Sequence, residues 1–188
     1  MSRASSNAET ILLHWREAVP NDRLAHLVKD ATRALVRALQ MRLAEYGVSF
    51  GHWTFLRILW EGDGLTQSEL SDQAGVMEPT TFSALKAMEK RGYIRRQKRG
   101  GDRKKVYIVL TPKGRRLRTH LVPLAEAVNG IAVRGVKPAD IAITRMVLFT
   151  IIENMAADER GADMRMPSTR ELARLSLGPK RQTGKPNK

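Results

Sequence analysis

The stretch LTQSELSDQAGVMEPTTFSALKAMEKRGYIRRQKRGGDRKKVYIVLTP, residues 65–112, decides how this chain reads. Thr66 followed by Glu69 has the spacing of a capping box, in which side chain and backbone satisfy each other's exposed groups, and it predicts a short helix to about Gln73. Ala74-Gly75 makes a turn, and Glu78-Pro79 opens a second helix that runs to Arg91 and ends at Gly92. Proline fits a first helical turn because its missing N–H would be unpaired there anyway. Tyr93–Lys98 and Lys105–Leu110 are rich in β-branched and aromatic residues and are joined through Gly100-Gly101, the pattern of a hairpin.

The charge is concentrated on the same stretch. The 188 residues hold 33 Lys+Arg against 19 Asp+Glu, a net charge of +14, with no cysteine. Residues 1–85 carry 8 basic and 10 acidic side chains, net −2, whereas residues 86–118 carry 14 and 2, net +12. Residues 119–158 are nearly neutral, and residues 159–188 add 8 basic against 3 acidic. A field concentrated in this way attracts a polyanion; a plain solvated surface is the alternative.

Two short helices around a glycine turn and then a basic hairpin make a winged helix-turn-helix. The second helix is narrow enough to enter a DNA major groove, where each base pair shows a distinct pattern of donors and acceptors. Leu85, Met88 and either Thr81 or Phe82 are expected to pack inward, turning Thr80, Ser83, Lys86 and Lys90 outward. The expected DNA-contact set is Thr66, Gln67, Pro79, Thr80, Thr81, Ser83, Lys86, Lys90, Arg95, Arg96, Lys98, Arg99, Asp102, Arg103, Lys104 and Lys105. A glycine-flexed loop tipped with arginine suits a narrow minor groove, where the negative potential is highest. Asp102 is the one acid at that tip. It either orients Arg103 or a neighbouring cation, or is an exposed turn residue without a partner.

Around this unit the chain reads as helical. Ser6 and Glu9 form a second capping box, and Ala8, Ile11, Leu12, Trp15 and Val19 recur at helical spacing before Pro20. A long helix from Asn21-Asp22 to about Tyr46 carries the stripe Leu24, Leu27, Val28, Ala31, Leu35, Leu39 and Leu43. A helix over Gly51–Glu61 is apolar on nearly all sides and so is expected to be buried. Thr111-Pro112 starts a helix to about Gly135 that Pro123 should kink, and a last helix spans about Pro138–Ala157. The expected parts are an amphipathic helix (1–20), a dimerisation helix (21–50), the winged DNA-binding domain (51–111), C-terminal dimerisation helices (112–158) and a basic flexible tail (159–188). The fold class is mainly α with a small β-wing. No apolar run reaches the ~20 residues of a membrane span, and no secretory signal is evident, so a soluble cytoplasmic protein without membrane contact is expected.

From about Leu24 to Asp158 the chain resembles the MarR family of transcriptional regulators. Three stretches carry the resemblance: Leu65-Thr66-Gln67-Ser68-Glu69-Leu70, then Met88 through Arg96 around Gly92-Tyr93-Ile94, then Asp102-Arg103-Lys104 through Leu110-Thr111-Pro112-Lys113-Gly114. The resemblance implies a homodimer with interlocking terminal helices and one wing per subunit, with Arg103 as the wing-tip arginine and Asp102 as its orienting residue. It also implies a repressor that leaves its DNA when a small molecule, often an aromatic acid or phenol, binds between the dimer and DNA-binding parts. Ser83 departs from the pattern, standing where many relatives have a basic residue. Glu78 is acidic near the start of the same helix, and the capped helix at residues 6–19 and the tail after Asp158 exceed the usual core.

Family geometry puts an effector pocket among the long helix, the Trp-rich helix and the helix after the wing, with Trp15, Arg42, Tyr46, His52, Trp53 and Arg57 as candidates. Aromatic rings supply a stacking wall and an arginine pairs a carboxylate, so an aromatic acid or its coenzyme A thioester is the expected effector. Phe55 and Trp60 read as core. Without cysteine there is no thiol to sense oxidants. His14, His26, His52 and His120 are scattered, with no paired carboxylates and no phosphate-cradling glycine loop, so neither enzyme activity, cofactor nor metal is expected. His26 and Asp30, one turn apart, fall short of a tetrahedral ligand set. The rival to an operator-specific dimer on inverted-repeat, double-stranded DNA is a non-specific, nucleoid-type nucleic-acid binder.

Overall fold

The computed structural model describes residues 24–99 and 102–161 together with positions 12 and 15, and for residues 99 and 102–104 the backbone alone. Except at Leu12 and Trp15, both helical, the helix expected over 6–19 lies outside the described residues, as do the Gly100-Gly101 tip and the tail from 162.

Six helices and three strands are present among the described residues, in the order α1 (Leu24–Ala44), α2 (Phe50–Glu61), β1 (Leu65–Thr66), α3 (Gln67–Ala74), α4 (Glu78–Lys90), β2 (Ile94–Arg99), β3 (Asp102–Leu110), α5 (Pro112–Ala132) and α6 (Pro138–Gly161). Mainly helical architecture with a small β-wing is the fold class expected from the sequence. The sheet is antiparallel in the order β1-β3-β2, with Leu65 opposite Ile108 and Arg96 opposite Ile108 on the other side. β1 was not foreseen, because two residues show no alternation. The hairpin strands also run further towards the tip than expected, pairing Arg99 with Asp102. The backbone of Asp102-Arg103-Lys104 is therefore strand rather than loop.

Local chemistry explains the element starts. Ser49 Oγ accepts from the His52 amide at 3.2 Å, and Thr111 Oγ1 from the Gly114 amide at 3.1 Å. The Thr66–Glu69 capping box is complete: the Thr66 amide donates to Glu69 Oε2 at 2.7 Å, and the Glu69 amide to Thr66 Oγ1 at 3.3 Å. Gly75 ends α3 with φ +63°, the left-handed conformation that glycine adopts without penalty.

α2 is the centre of the first unit, which runs to Arg134. It packs on α3, α4, α5 and β3, and its Phe55, Leu56 and Leu59 join Leu43, Leu70, Leu85, Met88, Ile94, Ile108 and Leu121 in one core. Apolar burial on nearly every face is the reason that this helix lacks a polar stripe. Phe55 is core as expected, and the half-buried Trp60 donates its Nε1 to the Gly114 carbonyl at 3.0 Å. Gly114 itself lies against the Tyr93 backbone so closely that a Cβ there would overlap the Tyr93 carbonyl oxygen. α5 packs along α1. Only Leu39 and Leu43 of the expected α1 stripe are buried; Leu24, Leu27 and Leu35 stay exposed.

The second unit begins at Gly135. Its helix α6 buries no residue and exposes Met146, Phe149, Ile152 and Met155. No helix among the described residues is long and apolar enough to cross a membrane.

Candidate nucleic-acid interface and effector cavity

α3 and α4 are pinned by a buried hydrogen bond from Ser71 Oγ to Thr81 Oγ1 at 2.8 Å. Thr81, Leu85 and Met88 are all 0% exposed and form the inward line of α4 at helical spacing. Thr81, expected among the DNA contacts, is thus corrected to a packing residue: its hydroxyl is satisfied inside and no surface remains for DNA. One position further round the helix, Phe82 points outward and is 47% exposed.

Pro79, Thr80, Ser83, Lys86 and Lys90 are exposed on α4 as expected. Ser83 Oγ donates to the Pro79 carbonyl at 3.0 Å, so towards DNA it offers lone pairs rather than a proton. Thr66 and Gln67 are half-buried at the start of α3, where the Thr66 hydroxyl is engaged with Glu69 at 2.8 Å. Thr66, expected both as the cap of this helix and as a DNA contact, makes the cap.

Arg95, Arg96, Lys98 and Lys105 are exposed on the hairpin, and the side chains of Arg99, Asp102, Arg103 and Lys104 lie outside the described residues. Several cations of the basic stretch are engaged within the fold. Arg96 Nε lies 3.5 Å from Glu89 Oε2, its amide donates to Glu89 Oε1 at 3.3 Å, and its guanidinium sits over the Phe82 ring, 5.5 Å from the centroid. Arg91 donates to the Gly47 carbonyl at 2.9 Å. Lys113 donates to the Arg91 carbonyl at 2.9 Å and lies over the Tyr93 ring at 5.1 Å. Arg115 pairs with Asp63 at 2.6 Å. Glu89, Asp63, Arg115 and Phe82 were not among the expected site residues. Sequence spacing carries no signal for the first three, whose partners are brought by the fold.

A cavity of about 330 Å³ lies among α1, α2 and α5, lined by Thr32, Leu35, Val36, Leu39, Phe50, Trp53, Thr54, Arg57, Ala125, Val128 and Asn129. It brings together two of the six expected effector residues, Trp53 and Arg57, and Arg57 is the one charged side chain in its wall. The other four do not line this cavity. Trp15 Nε1 donates to Asp30 Oδ2 at 3.0 Å, and Arg42 to the Ala38 carbonyl one turn back at 2.8 Å. The Tyr46 ring stacks on His120 at 5.8 Å. His52 is buried edge-on to Tyr93 at 6.5 Å, with no hydrogen-bond partner for Nδ1 among the described residues. Burial, then the charge of Arg91, holds the His52 pKa below the ordinary histidine value. Asp30, expected beside His26, instead accepts from Trp15 and lies 3.5 Å from Arg33. No group of three or more potential metal ligands occurs among the described residues.

Residues 48–106 match the family model described as MarR family. Over 59% of its length the chain is 31% identical to the HTH-type transcriptional regulator TtmR of Methylorubrum extorquens, and it spans 57% of that protein. It superposes on the transcriptional regulator PA3341 with a TM-score of 0.65 and 30% identity, covering 72% of this chain and 99% of that one. A MarR family regulator from Listeria monocytogenes, complexed with 26mer DNA, shares the fold at TM-score 0.68 and 23% identity over 78% of this chain and 99% of its own.

Proposed function

Because the chain belongs to the MarR family of transcriptional regulators, we propose that it binds inverted-repeat operator DNA as a homodimer and is released by a small aromatic acid or its coenzyme A thioester. The observation that carries this reading is the pinned α3–α4 pair, with Thr80, Ser83, Lys86 and Lys90 outward beside the cations of the β2–β3 hairpin. Polar groups on the first half of α4 suit base edges, and hairpin cations suit phosphates. Arg103, oriented by Asp102, is assigned to the minor groove, with Arg99 and Lys104 beside it.

Dimerisation is supported by the exposed apolar residues of α1 and, separately, of α6, which cost free energy while they face water. Residues 21–50 and 112–158 are assigned to that interface and 51–111 to DNA. A two-fold axis then sets two α4 helices about one DNA turn apart, which calls for an inverted repeat.

The cavity suits the effector in size and chemistry: an apolar wall with Trp53, one cation at Arg57, and the amide of Asn129. Its volume of about 330 Å³ suits an aromatic acid, or the acyl group of a coenzyme A thioester with the rest of the molecule outside. Release requires the effector to prefer the arrangement that does not fit DNA. With no cysteine in the chain, thiol oxidation does not supply the switch.

The test is anisotropy titration on DNA from upstream of the protein's own gene, at near-physiological salt with excess random competitor, followed by aromatic acids and their thioesters. The expected result is a site preferred roughly 10³-fold over random DNA and released by one of the compounds. Binding abolished by the competitor would replace this reading with a non-specific architectural protein.

A further inference from the structure

Phe82 is the one aromatic residue of α4, and its ring faces outward among the exposed polar and charged side chains Thr80, Ser83, Lys86 and Lys90. The inward line of the helix is already filled by Thr81, Leu85 and Met88, so Phe82 contributes nothing to the core cluster. It is nevertheless held in place. The Arg96 guanidinium lies 5.5 Å from its centroid, and Arg96 is itself steadied by Glu89 through both its side chain and its amide. The result is a braced aromatic ring on the first half of the helix that enters the groove, with much of its surface still facing solvent.

A phenyl ring gains nothing from a phosphate. Of the features that a base pair shows in the major groove, the apolar one is the C5-methyl group of thymine. We infer that Phe82 is a specificity-determining residue that reads a thymine methyl group in the operator, with Arg96 setting the ring's orientation and bringing a cation to the phosphate beside it. Ser83, which has given its proton to Pro79, reads an amino group on a neighbouring base as acceptor. Together they replace charge-based readout at the middle of α4 with a methyl contact and an acceptor. This inference rests on the DNA-binding reading above.

Removing one methyl from a contact of this kind should cost about fourfold in affinity per half-site, the equivalent of one buried methylene. The experiment selects duplexes from a randomised library with the full-length protein, then remakes the enriched duplex with deoxyuridine replacing thymine one position at a time. The expected result is one thymine per half-site whose demethylation weakens the wild-type protein about fourfold. Phe82→Ala should bind the thymine duplex more weakly and be indifferent to uracil at that position, with its melting temperature near wild type because the ring is exposed. An enriched duplex on which the wild type ignores every uracil overturns the inference alone, and needs no variant to do so. Full methyl sensitivity retained in Phe82→Ala overturns it equally. A library without any enriched sequence overturns the operator-specific reading and this inference with it.

Discussion

Asp63 and Arg115, 52 residues apart, make an ion pair of 2.6 Å that brackets the backbone of Leu110 from both sides. Asp63 Oδ1 accepts from the Leu110 amide at 2.8 Å, and Arg115 donates to the Leu110 carbonyl at 3.1 Å. Leu110 is the last residue of β3, so the bracket fixes the base of the wing where it passes into α5. The side chains are 28% and 57% exposed, and the ion pair by itself is worth at most about 1 kcal/mol.

The backbone bond should therefore dominate. Asp63→Asn keeps an oxygen for the Leu110 amide and should cost no more than about 1 kcal/mol. Asp63→Ala leaves that amide unpaired and should cost about 1–3 kcal/mol. Urea unfolding of the two variants checks the order, and equal losses would show that the charge, not the backbone bond, matters.

Thr81 and Ser71 should behave as one unit. Thr81→Val leaves the buried Ser71 hydroxyl unsatisfied and should destabilise by about 1–3 kcal/mol. Ser71→Ala combined with Thr81→Val should cost clearly less than the two single losses added, because neither hydroxyl is then stranded. Additive losses in a double-mutant cycle would mean that the bond does not pin α3 to α4.

His52 makes stability fall on the acid side. Its pKa in the folded chain lies below the unfolded value of 6.5, so above that pH the ring is neutral in both states and pH has no leverage. As pH drops below it the unfolded chain takes the proton first, and stability is lost until the folded pKa is passed. His52→Leu should lose less melting temperature than wild type between pH 7.5 and 5.5; parallel curves would assign the acid loss to other groups.

Arg57 should separate effector response from DNA binding. Arg57→Ala removes the one charged side chain of the cavity wall and leaves every residue of α3, α4 and the hairpin in place. DNA affinity without effector should stay within about twofold, while the concentration needed for release, with whichever aromatic acid releases the wild type, should rise about 10-fold or more. An unchanged response to every acid that releases the wild type would move the effector site elsewhere.

The boundaries of the helix-turn-helix were legible because they are written in local chemistry. Thr66 with Glu69, Gly75, Glu78-Pro79 and Gly92 each act within a turn or so of themselves, and the structure places helix ends within a residue or two of them. The burial of α2 followed from its lack of any polar stripe. β1 escaped notice because Leu65 and Thr66 become a strand only when β3 arrives beside them. The length of the hairpin strands was a question of the same kind.

At the candidate site the division runs through single residues. Composition and order sufficed for a basic hairpin beside two short helices, since net charge and glycine spacing need no partner to be read. Whether Thr81 or Phe82 turned inward was open until Ser71 supplied a buried hydroxyl for the threonine, leaving the aromatic ring outside. Arg57 and Trp53 share a cavity while Arg42, Tyr46 and His52 do not, because helix phase and the packing of α5 against α1 decide which side of each helix meets the gap. Residue types and short spacings carry the chemistry of caps, turns and charge; pairings across 40 or more residues, such as Arg91 with Gly47 or Asp63 with Arg115, exist only once the core has brought the elements together.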